Sequence, residues 1–365
     1  MRDTSDNQPW IRSKPWDTSL ILFGWVPFFI WCIGWLDLGG KLGRPLDLAD
    51  LKLAIIVSVV CQLTHRNYTF LVVYLDKQTF LERSLLFVLT PLVAVLLGTY
   101  VLWFGSPIEF IIGSVFMLLW QAYHTVMQRF GLLRAYHRKQ GHSQQLLKNG
   151  KRIDLWFMWS LMVFTFFASS YWNQELLQFQ DIGQKVNTFI LWLGPWPLFL
   201  IIACGLVFLF SLVRLVYFEK QISKDLPLAI RAPRLTFIAS TFILCVTAFT
   251  HGPIIFFLSF AFLHALEYIA FIHHYSHKKY LLTDNQSIAA KLFRKPIPSA
   301  ILILGIQIPF FYWLDQISQG DVFKFYLLFN VLFGIMHFTY DGVIWKMRSK
   351  KVQKVLGMPA ERGSI

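Results

Sequence analysis

Long, uninterrupted apolar blocks are the feature that most restricts what this chain can fold into. They recur along the whole sequence, at roughly 18–36, 51–65, 85–104, 107–128, 155–172, 188–217, 235–250, 253–275, 299–314 and 323–345. About 20 apolar residues wound as helix span the hydrocarbon core of a bilayer, about 30 Å thick. The expected fold is therefore all-α, a polytopic transmembrane helix bundle of about ten spans. Eight or nine is the alternative count, because the blocks at 51–65 and 235–250 are short. Composition argues the same way. Of 365 residues, 56% are hydrophobic and 15% charged, with a mean hydropathy of +0.51. A soluble domain carries about 25% charged residues, so a disordered chain is excluded and an ordinary soluble enzyme disfavoured. Residues 1–17 are expected as a cytoplasmic N-terminal segment, 18–346 as the transmembrane domain and 347–365 as a cytoplasmic tail. The polar opening MRDTSDNQPWIRSKPWDTS lacks the apolar core of a signal peptide.

The charge pattern sets an orientation. There are 34 Lys and Arg against 20 Asp and Glu, a net charge of +14. With the N-terminus in the cytoplasm and the spans alternating, 29 of the 34 basic residues fall on the cytoplasmic side. Lys41, Arg44, Lys52, Lys185 and Lys324 are left outside. That bias follows the positive-inside rule, and it explains the basic balance without a nucleic-acid partner. The outward connections, GSPIE at 105–109, 172–183, THGP at 250–253 and 315–321, are short or mildly acidic. The expected location is multi-pass in a bacterial inner membrane. Chemistry belongs within the bilayer or at its cytoplasmic face. The four cysteines, Cys32, Cys61, Cys204 and Cys245, form no CxxC and are expected as buried structural thiols.

Histidines supply the candidate chemistry. Nine of the ten are expected near the cytoplasmic ends of helices, and only His251 lies outward. Ionisable groups within a membrane are costly and usually mark function. His65, His124, His264 and His337 each sit in an apolar or aromatic helical stretch. His124 and Gln128 are four apart, His264 and Glu267 three apart, and His337 and Asp341 four apart, so each pair shares a helix face. His274 falls on the Glu267 side of its helix. Imidazole and carboxylate together suit iron, manganese or zinc. The candidate metal ligands are His65, His124, His264, Glu267, His337 and Asp341, with Gln128 and His274 as lesser members. Donors on a shared ion should lie roughly 3–4 Å apart. The competing reading is a set of ordinary hydrogen-bonded histidines. His137 and His142 are expected as solvated loop residues, His273 and His277 at the interface, His251 in a turn, and nearby Tyr and Trp as interfacial belt residues. Asp76 and Arg83 are cytoplasmic candidates for structure or substrate contact, since eleven residues of helix put Asp76 about 16 Å from His65.

A polytopic fold with histidines gathered at the cytoplasmic boundary resembles the histidine-rich membrane non-haem iron enzymes. These are the fatty-acid desaturases and hydroxylases and, more distantly, the bacterial carotene-cleaving dioxygenases. Desaturases carry HxxxH and HxxHH boxes. This chain has HHYSH at 273–277, the reverse order, and otherwise dispersed single histidines. The resemblance implies a mono- or dinuclear iron cofactor, oxidation of a hydrophobic lipid-like substrate, and a cytoplasmic electron donor docking on basic loops. Two other classes compete. One is a haem-binding electron carrier, with axial histidines. The other is a transporter or acyltransferase using intramembrane histidines.

Overall fold

The structure is a computed structural model. It describes residues 8–38, 48–141, 144–172, 194–282, 288–293, 299, 301–303, 305, 306, 309, 322–345 and 350–358. Among these residues the regular structure is entirely helical. The helices are α1 (Lys14–Leu22), α2 (Val26–Trp35), α3 (Leu48–Tyr74), α4 (Lys77–Glu82), α5 (Ser84–Thr99), α6 (Pro107–Lys139), α7 (Gln144–Trp172), α8 (Trp196–Ile222), α9 (Leu228–His251), α10 (Pro253–Leu282), α11 (Ile288–Phe293), α12 (Val322–Ile344) and α13 (Lys350–Val355).

Local chemistry accounts for where these helices start and stop. Ser106 and Glu109 cap α6 reciprocally: Ser106 N–H donates to Glu109 Oε2 at 2.6 Å, and Glu109 N–H to Ser106 Oγ at 3.3 Å. This satisfies two of the amides a helix start leaves without partners. Asp76 caps α4, accepting from Thr79 N–H at 3.2 Å. Pro197 stands in the first turn of α8, where its missing N–H costs nothing. Gly252, at φ +91°, ends α9 in a conformation that disfavours any side chain. Wide π-type turns run through Asp17–Leu22 and Trp31–Trp35, and α1 meets α2 at a 45° bend.

Among the described residues, four helices are long and apolar enough to cross a membrane: α7, α8, α9 and α10, over Gln145–Tyr171, Trp196–Ile222, Leu228–His251 and Pro253–Tyr280. The bent pair α1 and α2 makes a fifth if it counts as one span. Only 17% of the most apolar stretch of α8 is buried, so most of its hydrophobic surface has no protein cover. Apolar surface on that scale calls for a lipid or protein neighbour. The block expected at 299–314 lies largely outside the described residues, as do His142 and the connections at 173–183 and 315–321.

The chain divides into two compact units. The first comprises 1–59, 128–267 and 357–365, and the second 60–127 and 268–356. In the first, α7 packs antiparallel on α8. Phe164 stacks on Phe208 at 5.7 Å, Ser160 Oγ lies 2.5 Å from Ser211 Oγ, and a side chain at Gly205 would press on Phe164. Phe28 of α2 stacks on Phe262 of α10 at 4.6 Å. Asp17 is buried with Ile11 N–H, Arg12 N–H and Tyr136 O–H donating to its carboxylate. In the second unit α12 packs on α5. Tyr340 meets Phe87 edge-on at 5.0 Å and donates to its carbonyl at 3.1 Å.

Candidate metal centre

The second unit holds the histidine cluster. Three helices carry its donors. On α3, His65 and Thr69 are four residues apart and share a stripe. His337 and Asp341 on α12, and Trp345 just past its end, repeat that spacing. α6 contributes His124 and α10 contributes Tyr268. His65 and His337 are fully buried, and His124 and Asp341 nearly so.

Three imidazole edges meet here. His337 Nε2 lies 3.1 Å from His65 Nε2 and 3.1 Å from His124 Nε2. Asp341 Oδ2 lies 3.4 Å from His337 Nε2 and 3.8 Å from His124 Nε2. The His65 and His337 rings cross at 88°, and those of His124 and His337 at 69°. Donor atoms about 2.1 Å from a shared ion stand about 3.0–3.4 Å apart in octahedral or tetrahedral arrangements. The observed separations lie in or just beyond that range. His124, His337 and Asp341 together form a group whose ligating atoms could hold one metal ion, and His65 adjoins it through His337.

An outer layer of hydrogen bonds orients these groups. Thr69 O–H donates to Asp341 Oδ1 at 3.0 Å. Its one proton is then committed, so at 2.7 Å it accepts from His337 Nδ1–H. That arrangement leaves the lone pair of His337 on Nε2, facing the other two imidazoles. Tyr268 O–H donates to Asp341 Oδ1 at 2.8 Å and also touches Thr69. Trp345 Nε1–H reaches Tyr268 Oη at 3.0 Å and Asp341 Oδ1 at 3.2 Å. Asp341 Oδ1 is thus occupied by three neutral donors, while Oδ2 faces the imidazoles. Metal-binding histidines are typically held this way, with the second ring nitrogen hydrogen-bonded. Phe338 lies against His124 with ring centroids 4.6 Å apart, placing an apolar ring beside the site. Arg66, next to His65, donates to Gln121 Oε1 at 3.2 Å.

The other candidates have different surroundings. His264, Glu267 and Gln128 belong to the first unit. There Glu267 is ion-paired with Arg129, whose Nη2–H also donates to Thr241 Oγ1 at 2.6 Å and whose guanidinium lies 4.5 Å above the Phe237 ring. A carboxylate already facing a guanidinium attracts a second cation less. Gln128 Nε2–H donates to the His264 carbonyl at 2.8 Å. His264 is fully buried, and His274, in the second unit, is buried too.

Several expectations need correction. His137 is fully buried, not solvated, because α6 continues to Lys139 and carries it inward. Asp154 sits 3.5 Å from its Nδ1, and Gly150 packs so close to the ring that any side chain there would collide. His273 is buried edge-on against Tyr68 at 5.0 Å, whereas His277 is exposed. Tyr268 and Trp345 are part of the cluster and not belt residues. Asp76 works structurally, capping α4 and pairing with Lys279. Cys61 and Cys204 are only partly buried, unlike Cys32 and Cys245. Thr69, Tyr268, Trp345 and Arg129 were not anticipated as parts of any site. Thr69 and Trp345 were within reach of the helical spacing, four residues after His65 and Asp341.

No protein-family model matches the chain, and no curated protein or solved structure matches it either.

Proposed function

We propose that the chain is a membrane-embedded, metal-dependent oxidoreductase that uses non-haem iron on a hydrophobic, lipid-like substrate at the cytoplasmic side of the bilayer. One observation carries this reading. Two imidazole Nε2 atoms and one carboxylate oxygen, from α6 and α12, converge at 3.1–3.8 Å in a buried group whose ligating atoms could hold one ion, and His65 Nε2 of α3 adjoins it 3.1 Å from His337 Nε2. His124, His337 and Asp341 would hold the ion, with His65 beside His337, and a nitrogen–oxygen donor set without thiolate suits iron. When bound, the iron would supply dioxygen activation. The protein's own part is to orient and to shield. Thr69 fixes the His337 tautomer, Tyr268 and Trp345 hold Asp341 Oδ1, and Phe338 helps keep water from His124.

The resemblance to histidine-rich membrane iron enzymes supports the same assignment through the residue pattern. An apolar substrate entering sideways between Phe-rich helices suits a chain with 36 phenylalanines. Ten spans with both termini in the cytoplasm of a bacterial inner membrane fit the 29-to-5 division of basic residues. Electrons would come from a reductase docked on the basic cytoplasmic segments.

The test is metal analysis of the full chain purified without oxygen after growth with iron supplied. About one iron per chain is expected in the wild type and little in His337→Ala or Asp341→Ala. A metal-free wild type overturns the proposal. A Soret band in the same sample would replace it with the haem reading.

A further inference from the structure

We infer that the groove between α7 and α8 binds the headgroup of an anionic phospholipid, with Arg152 and Arg214 facing its phosphate. The inference rests on the membrane part of the proposed function and is independent of the metal centre.

The two arginines lie at one end of the helix pair. From Leu155 to Trp172, α7 carries no charged side chain, and neither does α8 from Trp196 to Val213. Each stretch is about 27 Å long at about 1.5 Å per residue, close to the thickness of the hydrocarbon core. The helices run antiparallel, since Ser160 meets Ser211 and Phe164 meets Phe208. Arg152, just before the α7 stretch, and Arg214, just after that of α8, therefore stand at the same end of the pair. That end is the hydrocarbon boundary, where a headgroup lies.

The space between them suits a phosphodiester. Arg152 and Arg214 both line a groove of about 500 Å³. Asn149, Gln221 and Tyr217 add neutral hydrogen-bonding groups, and no carboxylate lines it. The nearby carboxylates are engaged elsewhere: Asp154 receives Arg234 and Arg134, and Glu219 Oε1 receives Arg234. Val213 forms part of the wall, and Phe210, one turn further into the span, carries Arg214 5.8 Å above its ring. Both are exposed, at 59% and 64%, so an acyl chain can lie along the same face that holds its headgroup. Paired basic residues between spans on the cytoplasmic side are a general means of holding acidic lipids.

The experiment uses the full chain in neutral detergent with fluorescent phosphatidylglycerol, compared with fluorescent phosphatidylcholine. Preferential retention of phosphatidylglycerol is expected, weakened about thirtyfold in Arg152→Gln/Arg214→Gln, since each near-surface arginine adds about 1 kcal/mol of attraction. Arg152→Lys/Arg214→Lys should retain most of it. Lys148→Gln, which removes an exposed charge of α7 that does not line this groove, should leave it unchanged. Equal retention of the two lipids, or an equal loss in Lys148→Gln, overturns the inference. So does displacement by inorganic phosphate or an acidic peptide as effective as displacement by unlabelled phosphatidylglycerol. Unchanged iron content in the arginine variants would separate this result from the fate of the metal proposal.

Discussion

Both units bury ionisable side chains, but they compose them differently. In the first, Asp154 receives a two-pronged contact from Arg234, at 2.6 and 3.0 Å, and a third from Arg134 at 2.8 Å. Arg234 also binds Glu219 at 2.6 Å. Two guanidiniums face two carboxylates, and the Arg129–Glu267 pair repeats the pattern one to one. The second unit points imidazole nitrogens at one another beside a carboxylate whose hydrogen-bond donors are neutral. A balanced set locks helices together and needs nothing more. Imidazoles gathered beside a carboxylate whose donors are neutral form no such balanced set, and on the proposed reading a metal cation completes it. Burial alone therefore does not distinguish structural from functional polar groups; the charge facing each group does.

The hardest test of this contrast is Asp154→Ala. Removing one partner of a buried ionic network strands the others, at a cost of about 3–5 kcal/mol. Thermal unfolding in detergent should show a large drop, with folded yield falling too. His337→Ala should behave in the opposite way, keeping the helical fold while losing bound metal. If His337→Ala unfolds the protein as thoroughly as Asp154→Ala does, the distinction between the two clusters collapses. A finer probe is Thr69→Val, which preserves shape but removes the group that fixes the His337 tautomer. Outer hydrogen bonds of this kind typically contribute 10–100-fold to metal affinity, so a weakening of about that size is expected in a chelator competition. An unchanged affinity would mean that Thr69 merely packs.

The sequence made the two regions unequally legible. Length and apolarity exposed the long helices, because a helix satisfies its own backbone hydrogen bonds whatever apolar surroundings it meets. The i, i+4 spacing correctly put His337 and Asp341 on one face, as helix geometry requires. What stayed hidden depended on partners remote in the chain. Nothing in the string around Glu267 shows that Arg129 neutralises it, and nothing around His137 shows that α6 runs on to bury it. Tyr268 and Trp345 read as interfacial aromatics because their hydroxyl and indole donors reveal a role only once Asp341 is beside them. Local periodicity is written in the sequence, whereas charge complementarity between distant segments is not.

The smallest effect belongs to a pair that falls between these two types. Asp76, outside the spans, is buried at the start of α4. Burial by itself would raise its pKa, but Lys279, Thr79 N–H and Tyr280 O–H prevail and hold the carboxyl below its ordinary 3.8. Because the folded value is depressed, its stabilising contribution is complete above the ordinary value and fades as pH falls through the lower folded one. At neutral pH the pair is intact, and mild acidification should leave it so. Asp76→Asn should lower the melting temperature at neutral pH and make it less sensitive to strong acid, since the titrating group is gone. The metal content of Asp76→Asn should match that of the wild type, because Asp76 anchors a helix start and faces an ammonium. A loss of metal in this variant would tie the anchor to the histidine centre and blur the division between balanced and ligating clusters.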